Sequence, residues 1–320
     1  MALKKVRLAL IGTSGIARAH IAAINTNINA ELVSIYSRDY RRAQDWANTY
    51  ASSAAQSHEE LFLDPTIDGI VIATEPARHL DYALLALENQ KHILIEKPID
   101  LDLERSLDFL RRTRDTETIV SVVSQKRFDP ELMSLRENIL HGAIGTPITV
   151  SAELYWERNI EYYQNGTKWR GNYGSVLLNQ GIHWIDYALW IFGTPARVQG
   201  LNKSIRDGIQ CSDTAILCVE FQNGPLFTLQ CSTAVDRSEA EFFIVRGTRG
   251  SLSWSSRSSW PVDYAKRAVR LIRSARSNLE RQVDDFVRCI LEGEQPVVSI
   301  EDAVAALRVI KQCEEVRPSG

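Results

Sequence analysis

The sequence predicts an α/β protein of two domains: a doubly wound parallel sheet at the N-terminus, then an α+β domain with a large open, mostly antiparallel sheet. Three observations predict it. Up to about residue 123, strand-sized apolar runs alternate with helical segments of ten or more residues, the pattern of βαβ units with right-handed crossovers. Beyond Arg127 the strand-like segments lengthen and are separated by turn signals such as Asn223-Gly224-Pro225 and Thr248-Arg249-Gly250. The 320 residues also exceed what one core usually holds. The expected domains are 1–123 and 124–320.

Val6–Ile11, apolar except for Arg7, suits a strand buried on both faces. Ile16–Asn25 has helical periodicity, Glu31–Tyr36 reads as a second strand, and Arg41–Tyr50 as a helix with a charged face. Gly69–Ala73, His92–Ile95 and Ile119–Ser124 read as further strands, separated by helices over Leu80–Asn89 and Leu103–Thr113. In the second domain, Pro130–Leu140 is a helix closed by His141-Gly142. Ile148–Tyr155, Ala215–Phe221, Leu226–Cys231 and Glu241–Arg246 are strands, interrupted by a helix over Ile182–Phe192. Trp184 and Trp190 on that helix suit a core better than a sugar-stacking platform.

Composition excludes several functions. With 37 basic and 40 acidic residues, the net charge of −3 offers no general attraction for nucleic acid. The apolar stretches fall well short of the ~20 residues that span a bilayer. The first residues run straight into a strand without a signal-peptide cleavage pattern. Five scattered cysteines without CxxC spacing suit a reducing cytoplasm and neither a disulfide framework nor a metal site. An acid-free segment, Tyr264–Leu279, carries Lys266, Arg267, Arg270, Arg273 and Arg276 and reads as a solvated helix face.

The first strand leads into Gly12-Thr13-Ser14-Gly15-Ile16-Ala17. Against G-x-G-x-x-G/A, Gly12 and Ala17 fit and Ser14 replaces the middle glycine. Gly12 makes the tight turn, Ala17 lets helix and strand pack closely, and Gly15 leaves a bare N–H for a pyrophosphate at the helix start. At the end of the second strand, where NAD proteins carry an acid for the ribose, this chain has Ser37 and Arg38, with Arg42 one turn on. A hydroxyl and guanidinium groups suit a 2′-phosphate, so NADP is favoured, with NAD possible. The third strand opens into Thr74-Glu75-Pro76 and His79. Thr74 and His79 are placed to touch the nicotinamide ribose, although a histidine that merely opens a helix reads as well.

Glu96-Lys97-Pro98 ends the run His92–Ile95 and so sits at the carboxyl end of a parallel strand, where ligands bind in open α/β sheets. An ammonium there can serve as general acid/base for hydride transfer at a carbinol. A second constellation reads Asn179-Gln180-Gly181-Ile182-His183, with Asp186 three residues on to hold the ring tautomer. Asn179 and His183 share a face if the helix begins by Asn179. Taken alone, His183 suits a core position on an apolar helix.

These motifs together resemble the glucose–fructose oxidoreductase/inositol dehydrogenase (Gfo/Idh/MocA) family, nearly end to end. The carriers are Ile11-Gly12 through His20, Thr74 to His79, His92–Pro98, Arg127-Phe128-Asp129-Pro130, Gly142 and Gly145, Trp169-Arg170, Asn179 to Asp186, and the tail Val298–Ile310. The resemblance implies a Rossmann domain, and a second domain whose open sheet forms a homodimer or homotetramer interface. It implies Lys97 and His183 as catalytic acid/base residues beside Asn179. It places Glu75, Pro76, Glu96, Gln125, Trp169 and Arg170 along the cofactor, and Arg127 and Tyr163 at a sugar-like substrate. Trp156, Arg158, Tyr162 and Tyr163 resemble the sugar-nucleotide branch. Gly174-Ser175 departs from a usual Gly-Gly pair. The implied activity is an NAD(P)-dependent oxidoreductase acting on a secondary alcohol or ketone of a sugar, polyol or sugar nucleotide. A non-catalytic cofactor sensor and a reductase of a non-sugar carbonyl or diol remain alternatives.

Overall fold

A computed structural model describes residues 5–257 and 276–315. The chain divides into two compact units, 1–128 with 276–304 and 129–275 with 305–320. In the first, β1 (Val6–Ile11), α1 (Gly15–Thr26), β2 (Ala30–Tyr36), α2 (Tyr40–Tyr50), β3 (Ser53–Ala54), α3 (His58–Leu63), β4 (Gly69–Ile72), α4 (His79–Glu88), β5 (His92–Ile95), α5 (Leu103–Thr113) and β6 (Val120–Val122) follow in sequence. The strands form one sheet of order β3-β2-β1-β4-β5-β6, and every neighbouring pair is parallel. The order reverses beside β1, so the carboxyl ends of β1 and β4 flank the crevice that such sheets use for ligands. β4 is buried throughout, and β1 everywhere except Arg7. Helix starts are fixed by their caps: Asp39 accepts from Arg42 N–H, and Asp102 from the N–H groups of Glu104 and Arg105.

The second unit contains α6 (Pro130–Leu140), β7 (Pro147–Tyr155), α7 (Ile160–Gln164), α8 (Trp169–Asn172), a π turn over Leu177–Gly181, α9 (Ile182–Phe192), β8 (Pro195–Lys203), β9 (Thr214–Phe221), β10 (Leu226–Ser232), β11 (Phe242–Gly247) and β12 (Gly250–Ser255). Its sheet has the order β12-β11-β7-β10-β9-β8. Among the described strands only β7 and β10 pair in parallel; the other pairs are antiparallel. One face is core: Val150, Ala152, Leu154, Leu217, Val219, Phe227 and Leu229 are buried. The other face stays open and carries Leu201, Ile216 and Leu226 at 66%, 46% and 57% exposure. Trp184 belongs to the core, stacked on Phe243 at 5.0 Å, while Trp190 carries the guanidinium of Arg136 at 4.1 Å.

The contiguous division at 123/124 is corrected by α10 (Asn278–Glu292), which returns to the first unit. Its capping box, Ser277 with Glu280, defines its start. Its stripe of Leu279, Val283, Phe286 and Val287 shares one core with Leu8, Ile21 and Ile24. α11 (Ile300–Glu315) follows. Of the basic segment, Arg276 pairs with Asp284; Lys266, Arg267, Arg270 and Arg273 lie outside the described residues. No helix among the described residues is long and apolar enough to cross a membrane.

Candidate active site

In the first unit the expected cofactor residues converge on the carboxyl edge of the parallel sheet. Gly12 adopts φ +109°, and a Cβ there would lie 2.5 Å from the carbonyl oxygen of Ala73, so only glycine fits. Ser14 precedes α1 but does not cap it; its hydroxyl donates to the Ala73 carbonyl at 3.0 Å. Among the described residues, no side chain therefore claims the first N–H groups of α1. Gly15 has open space where a Cβ would stand. That arrangement fits the pyrophosphate of a dinucleotide.

The 2′-phosphate question turns on Ser37, Arg38 and Arg42. Thr13 Oγ1 and Ser37 Oγ lie 3.1 Å apart, joining the ends of β1 and β2. Arg38 is exposed and reaches Glu75 Oε1 at 3.3 Å, from the end of β2 to the loop after β4. Arg42 donates instead to the Thr13 carbonyl. Arg38 and Arg42 are both exposed.

The Glu96-Lys97-Pro98 turn is braced from beneath by two buried histidines. His20 Nε2 lies 2.8 Å from Glu96 Oε1. The other carboxylate oxygen accepts the Lys97 N–H at 3.1 Å. Burial alone would raise the Glu96 pKa. The bond from His20, with the charges of His20 and Lys97, outweighs that and holds it below the usual carboxylate value. His79, expected near the nicotinamide ribose, is completely buried. Its Nδ1 lies 2.8 Å from the Pro98 carbonyl and its Nε2 3.2 Å from the Thr74 carbonyl. Burial lowers its pKa, against the pull of both carbonyls. A neutral ring has one N–H, and the shorter contact assigns it to Nδ1. Lys97 itself is half-buried between Glu96 and Pro98, which are buried. Gln125 begins a short 3₁₀ turn after β6 and is also half-buried.

Arg127, expected at the substrate, is 1% exposed. Its guanidinium pairs with Asp302 at 3.0 Å and donates to the Val297 carbonyl at 3.2 Å. In the structure Arg127 is thus committed to Asp302 and the Val297 carbonyl. Sequence reasoning missed Gln282 of α10. Its side chain bonds Val122 O at 2.9 Å and Ser124 N at 3.0 Å, holding the carboxyl end of β6.

In the second unit, Asn179 stands in the π turn and His183 in the first turn of α9. The helix begins at Ile182 as its periodicity indicates, and Asn179 precedes it in a wider turn. Asn179 Nδ2 donates to the Gly174 carbonyl at 3.0 Å. A Cβ on Gly174 would come within 2.6 Å of that nitrogen, so the pair fixes the loop carrying Trp169 and Arg170. Asp186 is buried one turn beyond His183. Tyr163 is buried, and its hydroxyl bonds Thr233 Oγ1; burial pushes its pKa up to about 12. Its half-exposed neighbour Tyr162 is the freer of the two rings, and accepts from Gln180 Nε2 at 2.9 Å. Among the described residues, no group of three or more histidine, cysteine, aspartate or glutamate side chains could hold a metal ion.

The known proteins it resembles agree with this layout. A family model described as oxidoreductase family, NAD-binding Rossmann fold matches residues 6–124, and one described as GFO/IDH/MocA C-terminal domain matches 132–253. The NAD(+)-dependent scyllo-inositol 2-dehydrogenase of Bacillus subtilis is 25% identical over 95% of this chain and 92% of its own. Mouse trans-1,2-dihydrobenzene-1,2-diol dehydrogenase is 26% identical over 69% of this chain and 65% of its own. The WlbA dehydrogenase of Bordetella pertussis, solved with NADH and UDP-GlcNAcA, superposes with a TM-score of 0.88 at 19% identity, over 98% of this chain and 96% of its own.

Proposed function

The chain belongs to the GFO/IDH/MocA family of NAD-binding oxidoreductases, and on that premise we propose that it is an NADP-preferring dehydrogenase or reductase of a secondary alcohol or ketone on a sugar-like substrate. The observation that carries this reading is the presentation of Lys97. A half-buried amine stands at the carboxyl end of β5, on a turn that the His20–Glu96 pair holds from below. In an α/β sheet of this order, that edge is where ligands bind.

The nicotinamide of the bound dinucleotide supplies the hydride donor or acceptor. Gly12, Thr13, Ser14, Gly15, Ile16 and Ala17 hold its pyrophosphate, and Ser37 with Arg38 its 2′-phosphate. The Thr74-Glu75-Pro76 loop, Glu96, Gln125 and the Trp169-Arg170 pair line its length. Lys97 holds and moves the proton at the substrate oxygen, with His183 as the second acid/base group. Asn179 keeps the Gly174 loop in register for substrate. The polyol, diol and sugar-nucleotide relatives support a carbinol as the reacting group. A homo-oligomer formed through the open face of the second sheet, where Leu201 and Ile216 are cross-strand neighbours, completes the reading.

The test is NADPH oxidation against keto-sugars, sugar nucleotides and aromatic diketones, run in both directions. Lys97→Met abolishes turnover while the NADPH dissociation constant stays within a few-fold. Turnover retained in that variant refutes the role. NADPH binding by the native protein, without turnover on any member of the panel, identifies a sensor instead.

A further inference from the structure

β6 stands at one end of its six-stranded sheet, so among the described strands one side of its backbone has no strand beside it. Val123 turns its N–H inward, to the Ile95 carbonyl of β5 at 2.8 Å. The groups on either side of it, Val122 O and Ser124 N–H, point the other way. One side chain takes both. Gln282 Nε2 donates to Val122 O at 2.9 Å, and Gln282 Oε1 accepts the Ser124 N–H at 3.0 Å. A residue of a neighbouring parallel strand makes the same two bonds, giving its N–H to one carbonyl and taking the N–H two positions on. The carboxamide of α10 thus stands in for one residue of a seventh strand. Its orientation follows from chemistry, since only the NH2 can meet a carbonyl and only the oxygen can meet an N–H.

Packing alone does not call for an amide there. Gln282 is 1% exposed and shares the buried face of α10 with Leu279, Val283 and Phe286. A leucine fills such a position without the cost of burying a polar group. Earlier in the strand, Ser121 Oγ donates to the Val298 carbonyl at 3.1 Å, so the returning segment covers the edge at two levels. β6 has only three residues, and a short strand with one partner frays at its end.

We propose that Gln282 is a positioning residue for the cofactor: by fixing Ser124 it aims Gln125 at the dinucleotide and steadies the strand end beside Lys97. The proposal rests on Gln125 and Lys97 being the cofactor and acid/base residues of the proposed function. Ser124 is the junction. Gln282 holds its N–H, and its carbonyl accepts the Arg127 N–H at 3.2 Å, within the turn that opens on Gln125. Gln125 is therefore the first residue past the point of attachment. Ile95 of β5 pairs with Val122; two positions further on, the two chains reach Lys97 and Ser124. A displaced β6 end is felt on the edge where both proposed contacts stand.

NADPH binding, followed by fluorescence in the full chain carrying Gln125→Ala, Gln282→Leu or both, tests this. Gln125→Ala is expected to weaken binding about tenfold and Gln282→Leu about fivefold. The double variant should fall no more than about twofold below Gln125→Ala alone, because the second change acts through the first residue. A brace that serves folding alone lowers the unfolding temperature of Gln282→Leu and leaves its NADPH affinity native, which overturns the proposal. Losses that multiply in the double variant overturn it too. Native affinity in Gln125→Ala is a different failure: it removes Gln125 from the cofactor site, and the proposal falls with it. Gln282→Glu serves if the leucine variant does not fold. A carboxylate accepts from Ser124 but cannot donate to Val122 O, whereas a protonated carboxyl does both. Burial favours the protonated form. Relative to the native chain at the same pH, Gln282→Glu should bind NADPH about tenfold more weakly at pH 8.5 and within about twofold at pH 6. A ratio that is the same at both pH values overturns the role.

Discussion

The imidazole of His20 and the carboxylate of Glu96 meet at 2.8 Å, 76 positions apart in the chain and both buried. The same carboxylate takes the Lys97 N–H, so α1, whose first turn is the proposed phosphate cradle, is linked through one side chain to the proposed acid/base residue.

Removing the histidine exposes that dependence. His20→Ala leaves a buried carboxylate without its partner and is expected to cost about 3 kcal/mol of stability. The turn then loses its register, so kcat falls more than NADPH affinity. Urea unfolding and steady-state kinetics on the same preparation check it; a kcat equal to the native value would show that the brace serves only folding.

Stability should fall on the acid side in two stages. His79 is held below the ordinary histidine pKa by burial. Unfolding frees it to take a proton below about pH 6.5, where the unfolded chain then binds more protons than the folded one. His92, also lowered by burial, adds to this stage. Glu96 is depressed despite its burial, so its contribution is intact above the ordinary carboxylate pKa and is lost below about pH 4.5. Thermal midpoints between pH 8 and 4 should decline through both windows, and His79→Gln should flatten the first.

Cofactor choice is expected to rest on Arg38. Arg38→Ala should weaken NADPH by at least about tenfold through loss of a charge-assisted contact, while NADH changes little. Fluorescence titration with each dinucleotide measures the two effects separately. Equal losses for both would move the 2′-phosphate away from this residue.

The open sheet face predicts assembly. Ile216→Lys places a charge beside Leu201 on the open face and should dissociate the proposed oligomer without unfolding the chain. Light scattering on native and variant protein decides it; identical masses would put the interface elsewhere.

Much of this was legible in the residues. The strand at His92–Ile95 and the helices at Leu103–Thr113, Pro130–Leu140 and Ile182–Phe192 have the bounds their periodicity indicates. What escaped has a physical reason. β8 and β12 are edge strands with little buried surface, so Pro195–Lys203 and Gly250–Ser255 lack the alternation that marks a half-buried strand. The π turn at Leu177–Gly181 changes hydrogen-bond phase, which side-chain spacing does not encode. A motif also names a residue without naming the neighbour that claims it. Arg127 went to Asp302 and Tyr163 to Thr233, and Tyr162, one position away, stayed accessible.

Because α10 supplies Leu279, Val283, Phe286 and Val287 to a core otherwise built before residue 129, the nucleotide-binding half cannot be completed as it leaves the ribosome. It must wait, with Leu8, Ile21 and Ile24 partly uncovered, until some 150 further residues have been translated. A gene fragment ending at residue 128 should accordingly yield insoluble protein, and joining it to 276–304 by a short linker should restore solubility.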